Sequence, residues 1–202
     1  NTQKEDFDVI GVGDMSGDVF GNGMLLSSHI CLIGAFNHLH IFVDPAPNPT
    51  KTLVERRRLF KKSRSSWIDY DKNLISKGGG IFDRSAKFIN LSPEIKKRFD
   101  ITKDRVTPNE LIRSLLKAKT DLLWFGGIGT YVKESPESHL DVGDRANDAI
   151  RIDAKQLNTK VVGEGANLGL TQRARVEAAL NGVRLFADSI DNSAGVDCSD
   201  HE

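Results

Sequence analysis

The stretch Phe7-Asp8-Val9-Ile10-Gly11-Val12-Gly13-Asp14-Met15-Ser16-Gly17 decides how the chain is read. A short apolar run leads directly into a glycine-rich turn, and a mostly apolar segment follows. Strand, glycine turn and helix in that order is the context in which a G-x-G-x-x-G pattern holds a dinucleotide. Gly11 permits the tight turn and Gly13 lets the backbone approach a pyrophosphate. The third small residue, Ser16 or Gly17, lets helix and strand pack closely. The helix start would offer free N–H groups and a positive dipole end to the phosphates. Asp14 reads either as a cofactor contact or as a helix cap, and Met15 lies within the same turn.

Working outward, the apolar content predicts one long buried helix from about Gly17 to Phe36, with Asn37 as its stop. His38–Val43 then predicts the second strand, ending at Asp44. An acidic residue there accepts hydrogen bonds from the adenosine ribose hydroxyls and repels a 2′-phosphate, which favours NAD over NADP. The spacing from Gly13 is longer than the usual ~20 positions, and the extended helix absorbs the difference.

A stiff loop, Pro45–Pro49, precedes a helix from about Thr50 to Lys62. Its basic run (Arg56, Arg57, Arg58, Lys61, Lys62, then Arg64) reads as a solvated face. The alternative, phosphate or nucleic-acid contact, lacks interleaved aromatics. Ser65–Asp83, with three consecutive glycines, reads as a surface loop or a loop near the cleft. Asp69 and Asp71 alone do not specify a metal site. Thr107-Pro108-Asn109-Glu110 is a capping box opening a helix with an apolar 3–4 spacing.

Asp121–Phe125 is a strand whose continuous apolar run suggests burial on both faces. It enters Gly126-Gly127-Ile128-Gly129, either a plain tight turn or a second ligand turn at the carboxyl end of a parallel strand. Residues 133–149 are a polar loop excursion. Lys160–Val162 enters another glycine-bearing turn, Gly163–Gly169. A helix from Thr171 to Asn181 and a final strand, Val183–Ala187, follow. The expected fold is α/β: a Rossmann-like, doubly wound, mainly parallel sheet with helices on both faces, in one domain over residues 1–202.

Lysine plus arginine and aspartate plus glutamate balance at 28 each, so no global field favours nucleic acid or an anionic membrane. Two cysteines form no metal or redox motif. No apolar run is long enough to span a bilayer. A cytoplasmic location, with no nucleic-acid, membrane or metal partner, is expected.

Three motifs carry the reading further: GVGDMSGDVFGNGMLL (Gly11–Leu26), VVGEGANLGLTQ (Val161–Gln172) and DNSAGVDCSDHE (Asp191–Glu202). In order and spacing the chain resembles the C-terminal, NAD-binding part of the large bacterial NAD-specific glutamate dehydrogenases. The stretches ISKGGGIF and LLWFGGIGTYVK are similar to that family as well. By resemblance to the hexameric glutamate dehydrogenases, Gly11, Gly13 and Ser16 form the cofactor turn. Gly165-Ala166-Asn167 lies by the cofactor, with Asn167 beside the nicotinamide ribose. Asn192, Val196 and Ser199 become candidate substrate contacts. Glu164 reads as a structural partner in that segment.

The resemblance implies oxidative deamination of L-glutamate to 2-oxoglutarate and ammonia, with hydride passing to NAD⁺. It also implies that the catalytic lysine and aspartate come from an upstream substrate domain of the same protein. The chain is thus expected to be a fragment with no catalytic acid or base of its own, cut from a homo-oligomeric enzyme. The competing reading is a non-catalytic nucleotide-sensing module of the same fold.

Overall fold

The computed structural model describes residues 1–192. Six strands form one mixed sheet: β1 (Phe7–Val12), β2 (Ile30–Phe36), β3 (His40–Val43), β4 (Gly80–Asp83), β5 (Thr120–Phe125) and β6 (Thr159–Glu164). Their order is β6-β5-β1-β2-β3-β4. The four strands from β6 to β2 run parallel, whereas β3 and β4 pair antiparallel along the β2 edge.

The strand period of two sorts side chains to opposite faces. Val9 of β1, Leu32 of β2 and Phe42 of β3 join one buried cluster, together with Phe20 and Met24 of α1 (Asp18–Gly23) and its C-cap. Leu59 of α2 (Pro49–Lys61), Trp67 and Tyr70 complete it. Ile10, Val12, Ile33, Ile41 and Val43 join the other cluster. There they meet Ile95 of α3 (Pro93–Arg98), Leu111 and Leu115 of α4 (Pro108–Leu116), and Ala174 and Ala178 of α5 (Gln172–Leu180). The capping box of α4 forms as read: Thr107 accepts from the Glu110 amide, and the Glu110 carboxylate accepts from the Thr107 amide at 2.8 Å.

The largest departure from the sequence reading lies between Gly17 and Phe36. The expected helix is six residues long, and the chain returns as strand β2. Ile30-Cys31-Leu32-Ile33 is rich in branched side chains that fit a pleated, buried surface, and the polar Ser27-Ser28-His29 lets the chain reverse before it. His40–Val43 is therefore the third strand, antiparallel to β2. Asn37 makes the turn between them. Its side-chain oxygen accepts from the amides of Leu39 and His40, both at 2.8 Å.

Three further expectations change. Ser65–Asp83 is not all loop, since Gly80–Asp83 forms edge strand β4. Arg56 is fully buried and does not belong to a solvated basic face. Its Nε donates to the carbonyl of Met24, the C-cap of α1, at 3.0 Å, and Nη1 donates to Thr52. Burial lowers its pKa to about 10. Val183–Ala187 forms no strand; Arg184 makes a single bridge to Val161.

Phe20 packs against the first glycine turn. A Cβ on Gly11 would overlap its ring, and one on Gly13 would lie 2.8 Å from it. Gly11→Ala is expected to destabilise the fold by about 1–3 kcal/mol through overpacking. Adding Phe20→Leu should return part of that loss, measured by urea denaturation. A double variant no more stable than Gly11→Ala would contradict the packing account.

Candidate functional site

At the carboxyl ends of β1, β2 and β5 the sheet opens into a cleft of about 740 Å³. Its wall includes Val12, Gly13, Asp14 and Gly17 from the first glycine turn and Gly126, Gly127 and Ile128 from the second. The β2–β3 turn contributes Asn37, His38 and Leu39, and the end of β4 contributes Asp83, Arg84 and Ser85. The carboxyl ends of parallel strands are where open α/β sheets bind ligands. A second cavity, about 870 Å³, lies at the opposite amino ends, where Asp121 pairs with Lys160 at 2.6 Å.

The two glycine turns are tied together. Gly126 N donates to Val12 O at 2.8 Å, and Gly13 N donates to Phe36 O at 2.8 Å. Gly13 has φ +136°, a conformation open mainly to glycine. A Cβ on Gly126 would lie 2.7 Å from Phe20. A Cβ on Gly127 would meet nothing closer than 3.5 Å, so its lack of a side chain leaves open space beside Gly13.

Asp14 is the hub of the first turn. One carboxylate oxygen accepts from the Ser16 amide at 3.0 Å, and the other accepts from Asn37 Nδ2 at 2.8 Å. Gly17 is the N-cap of α1 and donates its amide to Asp14 O at 3.1 Å. The sequence reading assigned the phosphates to the dipole of a long helix. A six-residue helix with Asp18 in its first turn offers much less positive potential.

Of the candidates in the turn, Gly13, Asp14 and Gly17 line the cleft. Gly11 is inside β1 and serves close packing against Phe20. Ser16 is exposed and bonds back to Asp14. Met15 is corrected: its side chain is buried in the core with Phe20 and Trp67 and cannot face a ligand.

Asp44 is also corrected. It follows an antiparallel strand, so it lies away from the end of the sheet that carries Gly13. It is fully buried, and one carboxylate oxygen accepts from the amide and hydroxyl of Ser76. The other oxygen is buried with no partner among the described residues. Burial raises its pKa, against the pull of the Ser76 bonds. The residue that does follow β2 at the cleft is Asn37, which the sequence reading used only as a helix stop.

The third glycine segment lies at the carboxyl end of β6. Ala166 N donates to Phe125 O at 2.8 Å, which seats it against the end of β5. Gly165 packs where a Cβ would strike Trp124 and Val19. Asn167 is exposed, and its side-chain oxygen accepts from Asn192 Nδ2 at 3.1 Å. Gly165 thus lies against Val19 of α1, Ala166 against the end of β5, and Asn167 against Asn192, all outside the cleft wall. Val196 and Ser199 lie outside the described residues.

Glu164 braces this segment. Its carboxylate is fully buried and accepts from Arg175 Nε at 2.7 Å, Arg175 Nη2 at 3.0 Å and the Leu170 amide at 3.2 Å. Arg175 also pairs with Asp188, which accepts from the Leu168 amide. Leu168 itself is held at φ +64°, so this network fixes a strained loop.

Two measurements follow from these geometries. The raised pKa of Asp44 means that protonation favours the native state. The stability of wild type relative to Asp44→Asn is fully present below the ordinary value of 3.8 and is lost as pH rises through the folded value. Urea midpoints across that range should show wild type losing ground as pH rises; a gain would contradict the assignment. Glu164→Ala leaves Arg175 without its bidentate partner and is expected to cost about 3 kcal/mol in the same assay. A change below about 0.5 kcal/mol would remove the bracing role.

Comparison with known proteins agrees with these motifs. NAD-specific glutamate dehydrogenase of Halomonas elongata is 63% identical over the whole chain, which covers 12% of that protein. The Pseudomonas aeruginosa protein of the same name is 62% identical, again with 12% covered. That of Mycobacterium tuberculosis is 55% identical, with 13% covered. The chain therefore spans about an eighth of the length of these relatives. A solved hetero-hexameric glutamate dehydrogenase from Thermus thermophilus aligns over 95% of this chain and 32% of its own, at 12% identity and TM-score 0.49. The family model described as bacterial NAD-glutamate dehydrogenase, catalytic domain, matches residues 1–202, and the chain belongs to that family.

Proposed function

We propose that this chain is the NAD-binding part of a glutamate dehydrogenase, built as a Rossmann-like, doubly wound unit around the β1–β5 cleft. The observation that carries the reading is the junction of the two glycine turns. Gly13 and Gly127 adjoin at the carboxyl ends of adjacent parallel strands, tied by the 2.8 Å Gly126–Val12 hydrogen bond. The open space beside Gly127, where a Cβ would meet nothing closer than 3.5 Å, leaves room for a backbone-hugging pyrophosphate.

In this reading NAD⁺ supplies the hydride acceptor for oxidative deamination of L-glutamate to 2-oxoglutarate and ammonia. Gly13, Asp14 and Gly17 hold the backbone close to the phosphates. Asn37 takes the ribose position that Asp44 was expected to fill, at a spacing from Gly13 nearer the usual ~20. Gly165, Ala166 and Asn167 face the nicotinamide side. Asn192 positions Asn167, and Val196 and Ser199 are substrate contacts by resemblance alone. The chain orients the cofactor, while proton transfer belongs to a substrate domain elsewhere in the same, homo-oligomeric protein.

The test uses the full-length protein. Gly127→Val places a side chain in open space, so it should fold normally yet raise the NAD⁺ KM about 10–100-fold. Asp44→Asn should leave that KM within about twofold, since Asp44 faces the core. Normal NAD⁺ affinity in Gly127→Val would contradict the proposed cleft. A large loss in Asp44→Asn would restore the original assignment.

A further inference from the structure

The cleft lacks an obvious source of positive charge. Its wall carries two carboxylates, Asp14 and Asp83, and α1 is too short and too acidic at its start to offset them. The basic side chains among its lining residues are His38 and Arg84. Arg84 directly follows β4, at the same end of the sheet as Phe36 and Asn37. Its Nη1 donates to Asn37 O at 2.8 Å. That carbonyl is the neighbour of Phe36 O, which accepts the Gly13 amide. The guanidinium is therefore anchored one peptide unit from the first glycine turn.

Arg84 is half-buried and pairs with no carboxylate among the described residues, and its other N–H groups have no protein acceptor among them. The adjacent Asp83 does not compensate it, because its carboxylate accepts from the Ser85 amide at 2.7 Å. Burial lowers the Arg84 pKa, as expected for a cation without a counter-charge. By contrast, the fully buried Arg151 is surrounded by Asp148, Asp144 and the Thr130 carbonyl. An arginine left with free donors in a polar cleft is suited to bidentate contact with phosphate oxygens.

We propose that Arg84 is the anion-binding residue of this cleft and pairs with the pyrophosphate of the dinucleotide. This rests on the cleft being the NAD site. The asserted anion is the pyrophosphate, because Arg84 is anchored on the carbonyl next to the one that accepts the Gly13 amide. Arg84 thereby supplies the charge that a longer helix would have provided through its dipole.

The experiment measures binding of NAD⁺, NADP⁺, ADP-ribose and adenosine to full-length wild type, Arg84→Gln and Arg84→Lys by calorimetry. Arg84→Gln should weaken NAD⁺ and ADP-ribose about 10–100-fold while leaving adenosine within about twofold. Arg84→Lys should recover part of the loss, and the salt dependence of NAD⁺ affinity should be shallower in Arg84→Gln than in wild type. Equal weakening of adenosine and ADP-ribose would overturn the proposal, because Arg84 would then only brace the Asn37 turn. Loss confined to NADP⁺, or no loss at all, would also overturn it. Absence of NAD⁺ binding in wild type would remove the cleft assignment itself, and this inference with it.

Discussion

Phe20 fills the space that Gly11, Gly13 and Gly126 leave empty, and the geometry of the cleft depends on that contact. The ring reaches the sheet only because these positions carry no Cβ. It meets Trp67 edge-on, with centroids 5.8 Å apart, and Trp67 Nε1 donates to Gly13 O at 2.9 Å. One aromatic pair thus pins the first glycine turn by packing from below and by a hydrogen bond from the side. Phe42 stacks on Trp67 at 4.8 Å, which extends the same cluster to the antiparallel edge. A side chain at Gly11, Gly13 or Gly126 would push Phe20 away and open the junction where β1 and β5 end.

Around this junction, charge and backbone are assigned to different residues. Asp14 is committed to the Ser16 amide and the Asn37 side chain, so it shapes the turn. Asn37 closes the β2–β3 hairpin with its oxygen and reaches Asp14 with its nitrogen. Glu164 and Arg175 do equivalent work at β6, holding Gly165–Leu170 through the Leu170 amide and through Asp188. The segments that follow β1, β2 and β6 are loops, each held by a buried or half-buried polar anchor. Satisfied anchors of this kind make a loop behave as a rigid part of the scaffold.

The glycine turns, β1, β5, β6 and the α4 capping box were legible in the sequence, because each rests on a local rule. The segment Gly17–Phe36 was not. A run that is apolar on all sides reads equally as a buried helix or a buried strand, and only length and flanking residues separate them. Reading it as one helix made His40–Val43 the second strand and promoted Asp44 to the ribose position. Burial on a mixed sheet, with Ser76 as partner, is a tertiary fact that no local pattern carries. The burial of Arg56 under the end of α1 and the docking of Trp67 beneath Gly13 depend equally on long-range packing.

The proposed function turns on NAD⁺ binding at the junction of the two glycine turns. It is tested most directly by amide hydrogen exchange on the full-length protein with and without NAD⁺. Slowed exchange is expected within residues 13–17, 37–39 and 126–129, with Asp44 and Ser76 unchanged. Protection confined to the amino ends of the strands, around Asp121 and Lys160, would contradict it, as would saturating NAD⁺ that leaves both glycine turns unaltered.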